Sequence, residues 1–268
     1  MWIDKVTEIL REAAEVAILP RFRALEEGDI AEKSPGEVVT VADREAEELI
    51  SRRLRDVMDI PVVGEEATAA DPRLVAALRE APAAWVVDPL DGTSNFVAGR
   101  PEYAVMAALV RDGETVASWI VRPTEGCAYV AERGSGAWRD GVRVRRKPAP
   151  ADPATLRGAA LTRFFDPPAR ERVAAAAPRF AALGPGTACA GVEYPRLLDG
   201  EQDFILFHRT LPWDHAPGTL LLTEAGCVAR RPDGSPYRPA DQRIGLLNAA
   251  DPACWDTVRT ILLEPASA

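Results

Sequence analysis

The sequence predicts an α/β protein with mixed sheets, on three observations. Amphipathic helical stretches alternate along the chain with short apolar runs rich in Val, Ile and Trp. Two apolar runs, 103–110 and 115–121, are separated by Asp112 and Gly113 and read as an antiparallel hairpin. Several apolar runs also end abruptly on an acidic residue, as strands do when they present ligands at one edge of a sheet.

Taken in order, residues 2–19 place Ile3, Val6, Ile9, Leu10, Ala13 and Ala17 on one helical face, and the helical pattern extends back to Met1. The polar stretch 28–36, with Lys33 and Pro35, reads as a mobile loop. A second helix over 43–58 turns Ala46, Leu49, Ile50, Leu54 and Val57 inward. Residues 60–63 form a short strand running into Gly64, Glu65 and Glu66, and 85–87 another that ends on Asp88. The 103–121 hairpin follows, and 128–133 and 142–145 continue the sheet. Pro148, Pro150 and Pro153 interrupt regular structure, dividing the chain into an N-terminal half, 1–147, and a C-terminal half, 148–268. The second half reads as strand 158–162, helices 168–183 and 192–198, strand 203–207, helix 217–225, buried strand 244–247 and closing helix 252–263.

Composition narrows the function. At 268 residues, 47% hydrophobic and 27% charged, the chain can bury a substantial core. A formal charge of -9 without a basic stripe argues against a nucleic-acid polymer as partner, and Arg143 to Lys147 reads as a solvated strand end or loop. The four cysteines form no CxxC pair, which excludes zinc-ribbon and thioredoxin-like readings and suits reduced thiols in a cytoplasmic protein. The chain opens on a charged helix rather than a signal peptide. No apolar run approaches the ~20 residues of a membrane span, so no membrane partner is expected.

The run WVVDPLDGTSNF at 85–96 carries the chemistry. Asp88 and Asp91 precede Gly92, Thr93 and Ser94, a pattern suited to divalent cations beside a phosphate. Hard ions such as Mg²⁺ take oxygen ligands and keep positions open for water and phosphate oxygens. The amides of Gly92 and Thr93 can face a phosphate without a bulky side chain intervening. Glu65 and Asp214 also follow apolar segments and fall at the same predicted edge. Each has a structural alternative, Glu65 as a helix-initiating acid and Asp214 as an N-cap. Thr40 and Asp43 fit a capping box, whether or not Asp43 also serves catalysis. His208 and His215, the only histidines, read as structural groups, leaving acid–base work to water, carboxylates and metal.

GEE at 64–66, DPLDGTSNF at 88–96 and PWDHAPG at 212–218, in this order, resemble the inositol monophosphatase family of metal-dependent phosphatases, and VTVAD at 39–43 is similar to its upstream segment. The resemblance implies a layered αβαβα sandwich and hydrolysis of small phosphate monoesters with about two or three Mg²⁺ ions. It implies Glu65, Asp88, the Leu90 carbonyl, Asp91 and Asp214 as metal ligands, with Asp88 bridging two ions. Thr93, Asp43 and Glu65 become the catalytic residues. Thr93 would orient the attacking water, with Asp43 and Thr40 behind it. The amides of Gly92 and Thr93 would hold the phosphate, and Lys33 would lie in a loop closing near the site. Glu66 receives no role. The family is commonly homodimeric, for which the 103–121 hairpin offers strands, and often lithium-sensitive.

Two rival readings are weighed against this one. Haloacid-dehalogenase phosphatases carry Asp-x-Asp-Gly-Thr and form a phosphoenzyme, but here the acids are three apart. On a regular strand that spacing turns the second acid to the opposite face. A non-catalytic scaffold that binds metal or a partner would be betrayed by a missing ligand, and every acid is present.

Substrate choice departs from the inositol pattern. Inositol-specific members carry a ring-binding glutamate at the position occupied here by Phe207, which cannot accept hydrogen bonds from ring hydroxyls. His208 and Arg209 could then meet a different, anionic leaving group, or Arg209 could be solvated surface. The candidate partner is a small phosphorylated metabolite: a sugar or polyol phosphate, histidinol phosphate or 3′-phosphoadenosine 5′-phosphate.

Overall fold

Helix α1 (Trp2–Ala13) buries Val6, Ile9, Leu10 and Ala13 on one stripe and continues through a π turn and a 3₁₀ turn to Arg21. The computed structural model describes residues 2–34, 36–241 and 243–264. Met1 and Pro35, assigned above to the first helix and the loop, lie outside the described residues. The expected loop is instead a ribbon, β1 (Ile30–Ser34) pairing antiparallel with β2 (Glu37–Thr40). Its outer strand is exposed and polar, so no apolar alternation marks it in the sequence.

Helix α2 (Val41–Val57) leads to β3 (Val62–Gly64), α3 (Glu65–Ala70) and α4 (Ala77–Glu80). Strand β4 (Ala83–Asp91) runs four residues past its expected end at Val87, into the short helix α5 (Thr93–Val97). The predicted hairpin is β5 (Ala104–Arg111) and β6 (Glu114–Arg122), turning at Asp112 and Gly113 as expected. After it come β7 (Cys127–Glu132), β8 (Gly136–Arg139) and β9 (Val142–Val144).

Strand β10 (Arg157–Leu161) opens the second sheet and is followed by α6 (Pro167–Ala176). This helix was expected to reach Leu183. It gives way to a 3₁₀ turn carrying Pro178, and 182–184 become strand β11 (Ala182–Gly184). Helix α7 (Ala190–Leu198), β12 (Phe204–Phe207) and α8 (Pro212–Glu224) come next. Helix α8 begins at Pro212, not Pro217, and tolerates Pro217 inside. It is buried on nearly every face, so no helical stripe distinguishes its first turn. Strands β13 (Val228–Arg230) and β14 (Leu246–Ala249) precede α9 (Pro252–Leu263). The strand expected at 244–247 is shifted two residues, because Gly245 is left-handed and Ile244 is 65% exposed.

Among the described residues, a seven-stranded sheet has the order β3-β4-β5-β6-β7-β8-β9 and a five-stranded sheet the order β11-β10-β12-β14-β13. Helices α1 and α2 cover one face of the larger sheet. Helices α7 and α8 fill the space between the sheets, and α6 and α9 cover the far face of the smaller one. This is the five-layered αβαβα sandwich. Strands β5 and β6 are central and almost wholly buried, so the 103–121 hairpin is not available as a dimer surface.

The middle layer is tightly fitted where α7 crosses α8. A Cβ on Gly218 would lie only 2.0–2.3 Å from three ring atoms of Tyr194. Gly218→Ala is expected to destabilise the fold by about 1–3 kcal/mol, seen as a lower urea midpoint at unchanged slope. A wild-type midpoint would show that the two helices separate without cost.

Candidate metal centre and its cavity

The site begins with an irregularity in β4. Asp88 pairs with Met106 of β5 and Asp91 with Ala104, so three steps on β4 match two on β5. This bulge puts both acids on one face of the sheet, correcting the expectation that a spacing of three separates them. Ala104 and Met106 face Gly191 of α7, and Asp91 faces it with them. Leu90 turns its side chain into the opposite core. Its amide donates to Asp88 Oδ1 (3.1 Å), and its carbonyl lies 3.0 Å from Thr93 Oγ1.

The other acids arrive from separate elements. Glu65 is the first residue of α3, so its helix-initiating place is real. Asp214 is the third residue of α8, and Leu211 holds the N-cap position assigned to it as an alternative. Glu65, Asp88, Asp91 and Asp214 line a single cavity of about 490 Å³, together with Lys33, Leu90, Gly92 and Thr93. Asp91 Oδ2 accepts from the Gly191 amide (2.5 Å) and the Cys189 thiol (3.1 Å). Gly92 is left-handed at φ +87°, a backbone conformation that a side chain would strain.

Asp43 caps α2 and also meets Thr93. Its Oδ2 accepts from the Thr40 amide (2.8 Å) and hydroxyl (2.5 Å), closing the capping box of α2. Its Oδ1 accepts from Thr93 Oγ1 at 2.9 Å. Lys33 belongs to β1 rather than a loop, and its ammonium lies 2.5 Å from Glu65 Oε1 and 2.6 Å from Glu66 Oε1. Burial opposes the charge of Lys33, but the two glutamates hold its pKa above the ordinary range.

Electrostatics indicate what this cavity could hold. Burial and then the crowding of Glu65, Asp91 and Asp214 raise Asp88 well above the carboxylate range. Burial, then Asp91 and Glu65, do the same to Asp214, and burial lifts Asp91 to about 6. Glu65, Asp91 and Asp214 crowd Asp88, and such crowding is relieved by a shared proton or a cation. Among the described residues, no three His, Cys, Asp or Glu side chains form a ready-made metal-binding group. Glu65 is engaged by Lys33, and Asp91 by Gly191 and Cys189. The donor set is all oxygen and strongly acidic, and in chemistry and charge it fits a hard divalent ion.

The rest of the cavity wall comes from loops and strand ends at 161–164, 185–190 and 207–209. Phe207 is buried against Tyr194 and His215, with ring centroids at 5.4 and 4.6 Å, and lines the cavity. His208 also lines it and packs on Phe165. Arg209 is not free surface: it is ion-paired with Glu37 and stacks over Phe164 at 4.3 Å. His215 is neutral and structural. Tyr194 OH donates to Nδ1 (2.8 Å), Nε2 donates to the Arg209 carbonyl (2.9 Å), and burial lowers its pKa to about 3. Sequence reasoning missed Cys189, Gly191, Arg163 and Phe164, whose roles depend on distant partners. It also missed Glu47, although its place one helical turn after Asp43 was a signal available in the sequence.

Comparison with known proteins identifies the family. A sequence model of the inositol monophosphatase family matches residues 2–261. The chain is 33% identical over 243 residues to an inositol-1-monophosphatase of Mycobacterium leprae, covering 87% of this chain and 80% of that one. It is 31% identical over 233 residues to Nus factor SuhB of Xylella fastidiosa, covering 84% and 79%. A solved IMPase from Thermotoga maritima superposes with a TM-score of 0.80 at 24% identity, covering 97% of this chain and 95% of the other. The chain belongs to the inositol monophosphatase family and is a phosphoric monoester hydrolase.

The crowded acids make stability depend on pH. Burial raises Asp43 to about 6 and Glu47 to about 7, from ordinary values of 3.8 and 4.5. Both therefore bind protons more tightly when folded. Their contribution is complete below the ordinary values and is lost as pH rises through the raised ones. Each shift is worth roughly 3 kcal/mol over its full range, and for the pair about 4 kcal/mol of this is lost above pH 5; at ~2 °C per kcal/mol the metal-free protein should lose roughly 8 °C in Tm between about pH 5 and pH 8. Millimolar Mg²⁺ should remove that fall. A metal-free Tm that stays flat or rises over this window would contradict the account.

Proposed function

We propose that this phosphatase uses Mg²⁺ to hydrolyse a small phosphate monoester by direct attack of water, without a phosphoenzyme, on a leaving group other than inositol. One observation carries the proposal: four carboxylates from three distant stretches share a cavity with a threonine whose hydroxyl meets a buried aspartate. Glu65, Asp88, the Leu90 carbonyl, Asp91 and Asp214 would hold the ions. Bound magnesium supplies neutralisation of phosphate charge and acidification of water.

The protein groups do the rest. Thr93 Oγ1 can donate its proton to Asp43 Oδ1, a charge-assisted bond, which frees its lone pairs to accept a proton from the attacking water. The Thr93 amide, in the first turn of α5, would hold a phosphate oxygen. Asp91 Oδ2 already accepts two donors and Asp88 Oδ1 accepts the Leu90 amide, so neither carboxylate is well prepared as a nucleophile.

The leaving group meets a different wall. Phe207, Phe164 and Leu161 offer apolar surface, while Arg163 and Arg209 offer guanidinium groups. Glu37 neutralises Arg209, whereas Arg163 Nη2 donates to the Gly36 carbonyl at 2.7 Å. That combination favours a leaving group with an apolar face and a second anionic group. It ranks 3′-phosphoadenosine 5′-phosphate and doubly anionic sugar phosphates above histidinol phosphate, and all of these above myo-inositol 1-phosphate. A cytoplasmic location, supported by four free, buried cysteines, and homodimeric assembly through a surface other than the 103–121 hairpin belong to the same proposal.

Phosphate release from a panel of monoesters, with and without Mg²⁺, tests it. Thr93→Ala should lower kcat about 100-fold or more with KM little changed. Asp91→Asn should abolish the Mg²⁺-dependent rate. Absence of Mg²⁺-dependent release by the wild type would favour a non-catalytic scaffold. Myo-inositol 1-phosphate as the best substrate would refute the role given to Phe207.

A further inference from the structure

We propose that Glu47 is a positioning residue for Glu65, setting that carboxylate for magnesium; the inference rests on the metal reading above. Glu47 lies on α2 one turn beyond Asp43, and it is buried. Its Oε2 accepts the amide of Glu66 and its Oε1 the amide of Ala67, both at 2.8 Å. These are among the first amides of α3, which have no partner within that helix. A helix start is ordinarily served by a Ser, Thr, Asp or Asn at the N-cap. Here the N-cap is Gly64, which has no side chain to offer.

The glycine is needed for the same reason. A Cβ on Gly64 would lie 2.6 Å from both carboxylate oxygens of Glu47, so the β3–α3 turn is moulded around that carboxylate. Glutamine would be a poorer substitute, since two amides require two acceptor oxygens and an amide side chain has one. Burying a carboxylate beside Glu65 and Glu66 is electrostatically unfavourable, and a local cap at position 64 would have avoided it. What the distant carboxylate adds is a rigid link. Asp43 grips Thr93, and Glu47 grips the two residues after Glu65, from one face of one helix. Helix α2 thereby sets the distance between the catalytic hydroxyl and a metal ligand.

Three variants test this: Glu47→Ala, Glu47→Gln and Gly64→Ala, the last keeping the carboxylate but driving it off the turn. The first readout is the Mg²⁺ concentration giving half of the metal-induced rise in Tm, which needs no turnover. The second is kcat and KM at saturating Mg²⁺, with circular dichroism to identify folded variants. Glu47→Ala should raise the half-saturating Mg²⁺ concentration about 10–100-fold, the range found when a residue supporting a metal ligand is removed. Gly64→Ala should move it in the same direction, and Glu47→Gln should fall between wild type and Glu47→Ala. KM for the ester at saturating metal should stay near wild type. Wild-type half-saturation in folded Glu47→Ala overturns the proposal. If that variant does not fold, wild-type half-saturation in Gly64→Ala and Glu47→Gln does so. A wild type whose Tm ignores Mg²⁺ overturns the metal reading and this proposal with it.

Discussion

The extra residue that β4 inserts between Asp88 and Asp91 is the constraint on which the centre depends. In a regular strand, Asp88 would share its face with Leu90, and Asp91 would point into the core beneath α1 and α2. With the bulge, both carboxylates reach the middle layer, while Leu90 fills that core. The backbone of the bulge is well accounted for. Pro89 brings no N–H, the Leu90 amide goes to Asp88, and the Leu90 carbonyl meets Thr93. Pairing on either side of the bulge holds the acids on sheet rather than on loop, so they cannot relax apart.

That rigidity creates the electrostatic problem the site is built around. Four carboxylates buried within one cavity repel each other, and protein donors relieve the repulsion only in part. Lys33 meets Glu65, and Gly191 and Cys189 meet Asp91. Asp88 and Asp214 are left well above the carboxylate range. A fold that places its acids this way is less stable than it could be at neutral pH until a cation arrives. Local strain of this kind is expected where binding rather than stability dictates the residues. Lys33 is informative here, because a single ammonium on the mobile end of a long side chain can yield to a stronger cation without disturbing the backbone.

Much of this could be read from the sequence, and the failures share a cause. Helices α2 and α9 and the β5–β6 hairpin were legible because their apolar periodicity is strong and their turns carry Gly or Pro signals. The acids themselves were legible as types at particular positions. The bulge was not, since counting faces along a strand assumes an unbroken period. Ribbon β1–β2 was missed because an exposed strand carries no apolar alternation, and the start of α8 because burial on all sides erases the helical stripe. The pairing of Glu37 with Arg209 joins residues 172 apart in sequence, and nothing local announces it. Glu47 looks like one more acid on a charged helix until Gly64 is seen beneath it.

The inner donors of the cavity and its outer wall are therefore set by different parts of the molecule. The inner ring of donors is set by strand register, helix starts and caps, all of them backbone features. The outer wall is set by side chains on the loops and strand ends at 161–164, 185–190 and 207–209. The two meet at His215, which follows Asp214 and holds the carbonyl of Arg209 through Nε2 while Tyr194 fixes its other nitrogen. Because this link grips a main-chain oxygen, replacing the side chain of Arg209 alters the wall and leaves the link intact, whereas Phe207 packs on Tyr194 and His215 themselves and is part of the link's support. Replacing His215 cannot have so confined an effect. It would free the loop that carries the wall and unseat the first turn of the helix that carries Asp214, so selectivity and metal affinity would change together.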